Sequence, residues 1–268
     1  MKQVLTVQDL SCVGKCSLTV ALPVLSAMGC ACSVLPTALL STHTGFEKPY
    51  VRSLTEDIAP ICSHIQSTGI RFDAVTVGYL SDPEQVWQVA DLVEQFSATT
   101  IVDPAMGDNG KCYSGITESH IYAMAELCKK ADFLLPNVTE AALLTGMPYE
   151  QTEDAGYHRE LLQALTAFGA KAAVLTGVSY PKGQTGFMLM EKNNEVFEYR
   201  AEKIPGSFHG TGDLFSAVFT GGLLKEKTAP EAAKLAAGFV ERVVKHTPKA
   251  TPFGVEFEAQ LPWLWENL

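Results

Sequence analysis

Short apolar runs alternate along this chain with longer segments in which apolar residues recur at helical spacing. Residues 83–96, 119–130 and 230–245 have the helical pattern. This alternation predicts an α/β fold with a largely parallel sheet and helices on both faces, because parallel strands need crossover connections. In such sheets, ligands bind where the strands end. The strand-like runs are VLTV (4–7), CSVLPTALL (32–40), AVTVGYL (74–80), TIVDP (100–104), FLLPN (133–137) and AAVLTG (172–177).

The region from 180 to 204 departs from this alternation. Its sequence TGFMLMEKNNEVFEYRAEKI predicts two antiparallel strands joined at Lys192-Asn193-Asn194, a hairpin at the edge of the sheet. The chain ends in LPWLWENL, whose tryptophans we expect to pack against the body of the protein. No repeat, low-complexity tract or long linker interrupts the sequence, so residues 1–268 are predicted to form a single domain.

Charge and composition disfavour several classes of function. The formal net charge of −10 argues against a nucleic-acid partner, which needs a basic face to meet its phosphates. No apolar run approaches membrane-spanning length and no basic segment leads into one, so we expect a cytoplasmic protein without a membrane partner. The seven cysteines lack CxxC pairs and metal-type spacing, which predicts neither a zinc site nor a disulfide scaffold.

The stretch QDLSCVGKCS contains Gly14-Lys15 in a turn between a strand pattern and a helix pattern, where a nucleotide-binding P-loop would lie. A P-loop reads G-x-x-x-x-G-K followed by Ser or Thr, because its backbone N–H groups and lysine hold phosphates and its hydroxyl binds Mg²⁺. Here Asp9 occupies the first glycine position and Cys16 the hydroxyl position. The carboxylate and the thiol favour an ordinary strand-to-helix turn.

The most informative stretch is HGTGDLFSAVFTGGLL, which ends in an apolar helical pattern. Gly210, Thr211, Gly212 and Asp213 lie at the predicted helix start, where backbone N–H groups and the helix dipole favour an anion. Asp213 could be only an N-cap. Two glycines in front of it, however, indicate close backbone approach to a ligand or a positive φ. A phosphoryl cradle beside a carboxylate that accepts a hydroxyl proton suits a phosphotransferase.

The G-T-G-D segment followed by a helix resembles the signature of the ribokinase superfamily. In that superfamily the glycine turn forms an anion hole and the aspartate is the catalytic base. The resemblance therefore implies a ribokinase-like fold, an anion hole at Gly210, Thr211 and Gly212, and a catalytic base at Asp213. A strip around residues 235–240 borders the adenine by the same resemblance.

Two further segments resemble the nucleotide side of these kinases. PNVTEAALLTG is similar to their N-x-x-E element, which implies that Asn137 and Glu140 lie near Mg²⁺ and act largely through water. The same spacing is also a helix-capping arrangement. VDPAMGDNGKCY is similar to the D-P-V-M-G-D segment of the vitamin B6 and hydroxymethylpyrimidine kinases, which implies that Asp103 binds ATP under a mobile glycine-rich loop. Lys111 and Thr176 are the alternatives for further phosphate contacts.

The substrate side resembles the pyridoxal kinase branch. STHTGF is similar to that branch's N-H-T-G motif, which implies that His43 and Thr44 line a pyridine pocket, and VGYL implies that Tyr79 packs on the ring. A buried histidine and a core tyrosine are the ordinary alternatives. Asp9 and Ser11 occupy the substrate loop of these kinases, so they should face the pyridine substituents. The branch usually reads S-x-x-S-H in this loop, and the present chain departs from that pattern.

The resemblance implies ATP- and Mg²⁺-dependent phosphorylation of the 5-hydroxymethyl group of pyridoxal, pyridoxine or pyridoxamine, and a homodimer. A hydroxymethylpyrimidine or dual-specificity kinase of thiamine synthesis is the main alternative, although those enzymes often carry cysteine where this chain has Asp213. A sugar or nucleoside kinase of the wider superfamily is a lesser alternative. A non-catalytic vitamer-binding protein is another, and the acidic residues together disfavour it.

Overall fold

The computed structural model describes residues 1–248, 251 and 253–268. The strands, in chain order, are β1 (Gln3–Ser11), β2 (Ala31–Leu40), β3 (Val51–Ser53), β4 (Ala74–Val77), β5 (Thr99–Val102), β6 (Gly107–Asp108), β7 (Lys111–Cys112), β8 (Phe133–Leu134), β9 (Ala172–Tyr180), β10 (Gln184–Glu191) and β11 (Val196–Glu202). The helices are α1 (Leu18–Ala27), α2 (Thr55–Ser67), α3 (Pro83–Phe96), α4 (Glu118–Cys128), α5 (Val138–Thr145), α6 (Ala155–Thr166), α7 (Thr211–Leu224), α8 (Ala229–His246) and α9 (Leu261–Glu266).

The chain divides into two compact units. Unit 1 comprises Met1–Gly78 and Ile204–Leu268, and unit 2 comprises Tyr79–Lys203. Each unit contains parallel strands and helices, and the predicted α/β class with a mostly parallel sheet is confirmed. The prediction of a single domain stays a prediction.

In unit 1 the strand order is β4-β1-β2-β3. Strand β1 pairs in parallel with β2 and β4, and the short β3 pairs antiparallel with the end of β2. Val4, Leu5 and Val7 of β1 have no exposed surface, as expected for a parallel strand covered on both faces. Helix α7 packs against α1 and α8. The end of β1 and the N-terminal end of α7 carry most of the candidate site residues of this unit.

In unit 2 the strand order is β5-β8-β9-β10-β11. Strands β5, β8 and β9 are parallel, whereas β10 runs antiparallel to both β9 and β11. The β10–β11 pair is the predicted hairpin, and its strands are joined across Lys192-Asn193-Asn194. The ring of Phe187 stacks on that of Tyr199 across the pair, with centroids 5.9 Å apart. A separate two-stranded ribbon, β6–β7, follows β5.

The predicted boundaries match the structure for one helix and are too long for two strands. Helix α3 coincides with the predicted 83–96, and Asp82 caps it by accepting a hydrogen bond from the N–H of Gln85. The run FLLPN contributes only the two residues of β8, because Pro136 has no N–H for a ladder and Asn137 begins the cap of α5. Strand β4 stops at Val77, short of the predicted residue 80.

The C-terminal tryptophans behave differently from each other. Trp263 stacks on Phe239 of α8, with centroids 6.0 Å apart, which confirms the expected packing for this residue. Trp265 is 65% exposed, so the expectation is wrong there, because it lies on the opposite side of the short helix α9. Within the described ranges, no helix has both the length and the apolar composition needed to cross a membrane.

Candidate active site

A glycine turn precedes α7 in unit 1. Gly210 has φ +88° and ψ 0°, a left-handed conformation that side chains disfavour. A Cβ atom there would lie 2.3 Å from the backbone oxygen of Lys15. Thr211 Oγ1 donates to the carbonyl oxygen of Phe208 at 3.1 Å, and Gly212 follows as an exposed residue of the first helical turn. The turn therefore needs glycine both for its backbone angle and for its contact with the β1–α1 loop.

Asp213 lies in the first turn of α7. Burial raises the pKa of its carboxyl from 3.8 to about 6; the nearby backbone N–H of Ser17 opposes the increase, and the negative charge of Asp9 adds to it. The helix N-terminus stabilises the ionised form that remains at neutral pH. A carboxylate with a pKa near 6 is basic enough to accept a proton from a hydroxyl group during a reaction.

Asp9 lies near the carboxyl end of β1 and is 4% exposed. Its Oδ1 accepts a hydrogen bond from Ser17 Oγ at 2.5 Å, and its Oδ2 accepts one from Ser11 Oγ at 3.4 Å. Burial raises the pKa of Asp9, although the two hydroxyl groups and His43 oppose the increase. Ser11 is itself fully buried and also accepts a hydrogen bond from the Cys16 thiol at 3.4 Å. The structure thus brings Asp9, Ser11 and Asp213 into one cluster.

The ladder between β1 and β2 is irregular beside Asp9. Gln8 pairs with Pro36 and Leu10 pairs with Leu39, so two residues of β2 oppose the single residue Asp9. Proline cannot donate to the ladder, and a bulge re-aims the neighbouring side chain. The position of the Asp9 carboxylate therefore depends on the sequence of β2 as well as on that of β1.

His43 lies in the loop that follows β2 and is 4% exposed. Its Nδ1 accepts a hydrogen bond from the N–H of Gly45 at 3.0 Å, which leaves the proton of a neutral ring on Nε2. A Cβ atom on Gly14 would lie 2.2 Å from His43 Cδ2, so the ring packs directly on the β1–α1 loop. The ring of His209, next to the glycine turn, lies 5.1 Å away between centroids. Thr44 beside it is solvent-exposed.

Lys15 has a protein partner at its ammonium group. Its Nζ lies 2.9 Å from Glu258 Oε2, and its backbone N–H donates to the carbonyl oxygen of Phe253 at 2.8 Å. Its own carbonyl oxygen lies against Gly210, as described above. These contacts give Lys15 a structural role in joining the β1–α1 loop to the C-terminal segment and to the glycine turn. That this segment is an ordinary turn and not a P-loop stays a prediction.

In unit 2, Asn137 and Glu140 form a capping box at the start of α5. Glu140 Oε1 also accepts from the N–H of Met106 at 3.0 Å, and Asn137 Nδ2 donates to the carbonyl oxygen of Gly107 at 2.8 Å. Burial raises the pKa of Glu140 to about 7, against the effect of these backbone hydrogen bonds. Both residues therefore fasten Met106 and Gly107, at the start of the glycine-rich loop (residues 106–112), to α5.

The other predicted residues of unit 2 differ in exposure. Asp103 follows β5 and is half-buried, Lys111 in β7 is exposed, and Tyr79 is half-buried. Burial raises the pKa of the Cys128 thiol, and Glu140 and Asp103 both add to the increase. Those two carboxylates thus lie near the same buried thiol, so the structure brings together two of the residues predicted for the nucleotide side.

Thr176 lies at an irregular point of the β9–β10 ladder. It pairs with Phe187, whereas Val178 pairs with Gly186, so Gly177 is an inserted residue with φ +67°. The N–H of Thr176 donates to the carbonyl oxygen of Pro136 at 2.9 Å. This contact places Thr176 beside the residue that precedes the capping box of α5.

A cavity of about 230 Å³ lies beside the glycine-rich loop of unit 2. Its walls include Gly110 and Cys112 from the loop, Thr139 from α5, and Tyr149. Thr139 Oγ1 accepts a hydrogen bond from the N–H of Gly110 at 2.9 Å, and a Cβ atom on Gly110 would lie 2.7 Å from the Tyr149 ring. Gly110 is therefore held between Thr139 of α5 and the ring of Tyr149.

Mg²⁺ is the metal that the resemblance implies. In the described residues, no group of three His, Cys, Asp or Glu side chains is arranged to hold a metal ion. Mg²⁺ commonly keeps several waters and binds proteins through one or two carboxylates together with substrate phosphates. The buried carboxylate of Glu140 already accepts hydrogen bonds at both oxygens. These residues fit an ion held through water and phosphate and do not fit a closed protein cage.

Sequence reasoning did not single out Ser17 as a site residue. Burial raises the pKa of the thiol of its neighbour Cys16 to about 12, and the charges of Asp213 and Asp9 add to the increase. The signal available was a serine at a predicted helix start, which indicates an ordinary N-cap. The true acceptor of its hydroxyl belongs to a different element, so local sequence could not reveal it.

The glycine turn and the acidic residue at the start of α7, set on this α/β fold, define a phosphotransferase of the ribokinase-like class. The chain belongs to the phosphomethylpyrimidine kinase family, whose model matches residues 21–255.

Solved structures and curated sequences place the chain near two kinds of kinase. A pyridoxal kinase from Lactobacillus plantarum is 34% identical, with a TM-score of 0.92 over 99% of this chain and 97% of that chain. A structure described as a phosphomethylpyrimidine kinase from Bacteroides thetaiotaomicron, crystallised with pyridoxal, is 30% identical, with a TM-score of 0.94 over 98% of this chain and 95% of that chain. A hydroxymethylpyrimidine/phosphomethylpyrimidine kinase from Aquifex aeolicus is 26% identical over 65% of this chain and 68% of that protein.

Proposed function

We propose that this protein transfers the γ-phosphoryl group of ATP to the 5-hydroxymethyl group of pyridoxal, pyridoxine or pyridoxamine. The observation that carries the proposal is Asp213, a carboxylate at a helix start behind a glycine turn, with a pKa raised to about 6. Membership of a kinase family supports the reaction type. The similarity to the Lactobacillus plantarum pyridoxal kinase supports the pyridine substrate.

In this proposal Asp213 is the general base. It accepts the proton of the substrate hydroxyl while the hydroxyl oxygen bonds to the γ-phosphorus and the bond to the β–γ bridging oxygen breaks, which releases ADP. Backbone N–H groups of Gly210, Thr211 and Gly212 and the dipole of α7 stabilise negative charge on the transferring group. Thr211 Oγ1 is bound to Phe208, so only its backbone is assigned to the phosphate.

The residues of unit 2 are assigned to the nucleotide. Asn137 and Glu140 would hold Mg²⁺ through water, because their side-chain atoms already make hydrogen bonds within the protein, and the ion would supply positive charge to the phosphates. Asp103 is assigned to the same region. Thr176 is the better candidate for a direct phosphate contact, because its backbone is fixed beside the capping box, whereas Lys111 is exposed.

The pyridine ring is assigned to His43, Thr44 and Tyr79, and the ring substituents to Asp9. His43 is the best defined of these, since Gly45 fixes its Nδ1 as an acceptor, which puts the proton of a neutral ring on Nε2. Ser11 is fully buried, so we assign it to support of Asp9 and not to direct substrate contact.

Hydroxymethylpyrimidine kinase activity is the second candidate. The Aquifex aeolicus relative and the name of the family favour it. Both substrates present a hydroxymethyl group on a nitrogen heterocycle, so the same base and the same phosphate turn serve either one. Asp213 at the position where pyrimidine kinases often carry cysteine favours the vitamin B6 substrates.

An initial-rate panel with Mg·ATP and pyridoxal, pyridoxine, pyridoxamine or hydroxymethylpyrimidine tests the proposal. We expect the largest kcat/KM with one of the three vitamers, with ADP and the 5′-phosphate formed in equal amounts. A larger kcat/KM for hydroxymethylpyrimidine would replace the proposal with the second candidate. Vitamer binding without ADP release would indicate a non-catalytic binding protein. The homodimer implied by the resemblance is tested separately by light scattering.

A further inference from the structure

We propose that Gly254 and Val255, in the C-terminal segment of residues 253–258, are positioning residues for the glycine turn before α7. The N–H of Val255 donates to the carbonyl oxygen of His209 at 3.1 Å. That oxygen belongs to the same peptide group as the N–H of Gly210, one of the donors assigned above to the transferring phosphoryl group. The catalytic consequence of this contact rests on the proposed function, whereas the contact itself is a feature of unit 1.

The geometry of the peptide group makes this contact an orientation of the N–H of Gly210. The peptide bond is planar and trans, so its carbonyl oxygen and its N–H point in opposite directions. Because Val255 holds the oxygen of His209, the N–H of Gly210 points away from the C-terminal segment. Among the described residues, no protein atom accepts a hydrogen bond from this N–H, which leaves it for an anion. A hydrogen bond at the carbonyl oxygen also polarises the peptide group and strengthens its N–H as a donor.

Gly254 allows this approach because it lies against two carbonyl oxygens. Its φ is +98°, and a Cβ atom on it would lie 2.8 Å from the backbone oxygen of Lys15 and 3.2 Å from that of His209. On one side of this glycine, the carbonyl oxygen of Phe253 accepts from the N–H of Lys15 at 2.8 Å. On the other side lies the bond from Val255 to His209. A side chain at position 254 would push the segment away from both partners.

The backbone oxygen of Lys15 contacts both glycines. A Cβ atom on Gly210 would lie 2.3 Å from this oxygen and 3.6 Å from Val255 Cγ2. The glycine turn, the β1–α1 loop and the C-terminal segment therefore pack so closely, backbone against backbone, that glycine is needed at both contact points. Displacement of the C-terminal segment should consequently move the turn.

The C-terminal segment is itself anchored to α8 and to the core of unit 1. The N–H of Glu256 donates to Thr247 Oγ1 at 2.9 Å, and that hydroxyl donates to the carbonyl oxygen of Val243 at 2.9 Å. Val255 has no exposed surface, and Phe257 is 2% exposed. Because these contacts fix the segment, it provides a rigid support for the turn.

The test compares Gly254→Ala with Gly169→Ala. Both glycines have a positive φ, +98° and +108°, but a Cβ atom on Gly169 would meet no atom within 4 Å. The control therefore reproduces the cost of a positive φ without displacing a neighbour. Thr247→Val removes the acceptor for the N–H of Glu256 and keeps the shape of the side chain, so it loosens the segment without adding an atom to the contact.

One NMR signal reports on the peptide group in question. Position 209 is the only place in the sequence where histidine is followed by glycine. Histidine labelled with carbon-13 at the carbonyl, together with glycine labelled with nitrogen-15, therefore gives a single carbonyl–amide correlation, from His209 and Gly210. Initial rates on the accepted substrate are measured on the same variants and expressed per folded protein, with folding checked by circular dichroism.

We expect the signal of this peptide group to move in Gly254→Ala and in Thr247→Val, and to keep its wild-type position in Gly169→Ala. Gly254→Ala should lower kcat about 10- to 100-fold, the scale expected for a misplaced catalytic group, with the KM for the vitamer unchanged. The kcat of Thr247→Val should fall less, and that of Gly169→Ala should equal the wild-type value. A loss of stability alone would change none of these rates per folded protein.

A kcat within a few-fold of wild type in folded Gly254→Ala would overturn the positioning role, and so would an NMR signal that does not move. If Gly254→Ala does not fold, Thr247→Val decides by the same two measurements. The NMR result needs no substrate, so the two claims fail separately. A wild-type protein that phosphorylates no compound of the panel contradicts the proposed function, while a moved signal in Gly254→Ala supports the contact. An active wild type with an equally active Gly254→Ala variant contradicts the positioning role alone.

Discussion

The carboxylate of Glu140 accepts a 3.0 Å hydrogen bond from the backbone N–H of Met106, thirty-four residues earlier in the chain. Its other oxygen accepts from the N–H of Asn137 at 2.9 Å, so the two oxygens satisfy two backbone donors. A carboxylate is the only common side chain that offers two acceptors and no donor in this geometry. Glu140 therefore connects the start of α5 to the glycine-rich loop.

Glu140→Gln should place an NH₂ group against one of these N–H donors. Leaving a buried donor unpaired costs about 1–3 kcal/mol, so we expect the free energy of unfolding to fall by that amount. The substitution should disturb the glycine-rich loop and the proposed metal site more than the substrate pocket, so the KM for Mg·ATP should rise more than the KM for the vitamer. Urea unfolding and steady-state kinetics measure both effects. Glu153→Gln, at an exposed site in the same unit, is the control; equal changes in the two KM values would count against this role.

Gly210→Ala tests the glycine turn, and Gly169→Ala is the control for the cost of a positive φ alone. Gly210 and Gly169 both have positive φ, but a Cβ atom on Gly169 would meet no atom within 4 Å, whereas one on Gly210 would lie 2.3 Å from a backbone oxygen. We expect Gly169→Ala to cost about 1–2 kcal/mol of unfolding free energy and Gly210→Ala to cost more, because a backbone atom must move. Gly210→Ala should also lower kcat, whereas Gly169→Ala should not. Equal losses of stability with unchanged turnover would remove the turn from the site.

Lys15→Ala distinguishes the present account from a P-loop. The ammonium group pairs with Glu258 at a partly exposed site, so we expect a stability loss of at most about 1 kcal/mol. ATP binding, measured by nucleotide titration, should be retained. Glu258→Gln removes the same ion pair without touching the loop and should match it in stability. Complete loss of ATP affinity in Lys15→Ala alone would revive the P-loop interpretation.

The buried side chain of His120 should make the free energy of unfolding depend on pH. It is 1% exposed, and neither ring nitrogen has a hydrogen-bond partner among the described residues. Burial lowers its pKa, against the opposing charge of Asp82. The unfolded chain therefore takes up a proton below the ordinary value of 6.5 while the folded protein does not, so stability is lost as the pH falls below that value.

His120→Leu should remove this contribution. We expect the variant to lose less stability than the wild type between pH 7.5 and pH 5.5, by up to about 1.4 kcal/mol for each pH unit, in urea unfolding at both values. Comparing the variant with the wild type isolates His120, because the raised pKa values of Glu140 and Asp213 increase the stability of both proteins as the pH falls. His64→Leu, on the exposed face of α2, should leave the difference unchanged. An identical pH dependence in wild type and His120→Leu would contradict the assignment.

The parts of the fold and site that sequence predicted are those encoded locally. The repeating apolar spacing predicted the strands and helices, because the spacing of buried residues along the chain depends on the type of element that they belong to. Helix α3 has the ends that this spacing predicted. The sequence G-T-G-D predicted a helix start after a turn, because glycine and aspartate have local conformational preferences there. Positive φ at Gly210 confirmed that expectation.

The parts that sequence could not predict depend on distant contacts. The partner of Lys15 is 243 residues away in the chain, and the acceptor of the Ser17 hydroxyl lies beside a bulge between β1 and β2. Serine at a helix start indicates a cap, so local preference gave the wrong partner for its hydroxyl. Asn137 and Glu140 do form the capping box that the spacing also allowed, and their second set of contacts to Met106 and Gly107 appears only in the fold.

Asp213→Asn is the most direct measurement of the central claim. Asparagine keeps the shape of the side chain, and α7 has Gly210 as its N-cap with no side-chain capping hydrogen bond to lose, so folding by circular dichroism and ATP binding should be retained. A general base contributes about 10²- to 10⁴-fold, and we expect kcat for the accepted substrate to fall by that factor. A kcat within a few-fold of wild type, in a folded variant that binds ATP normally, would contradict the role of Asp213 as the base.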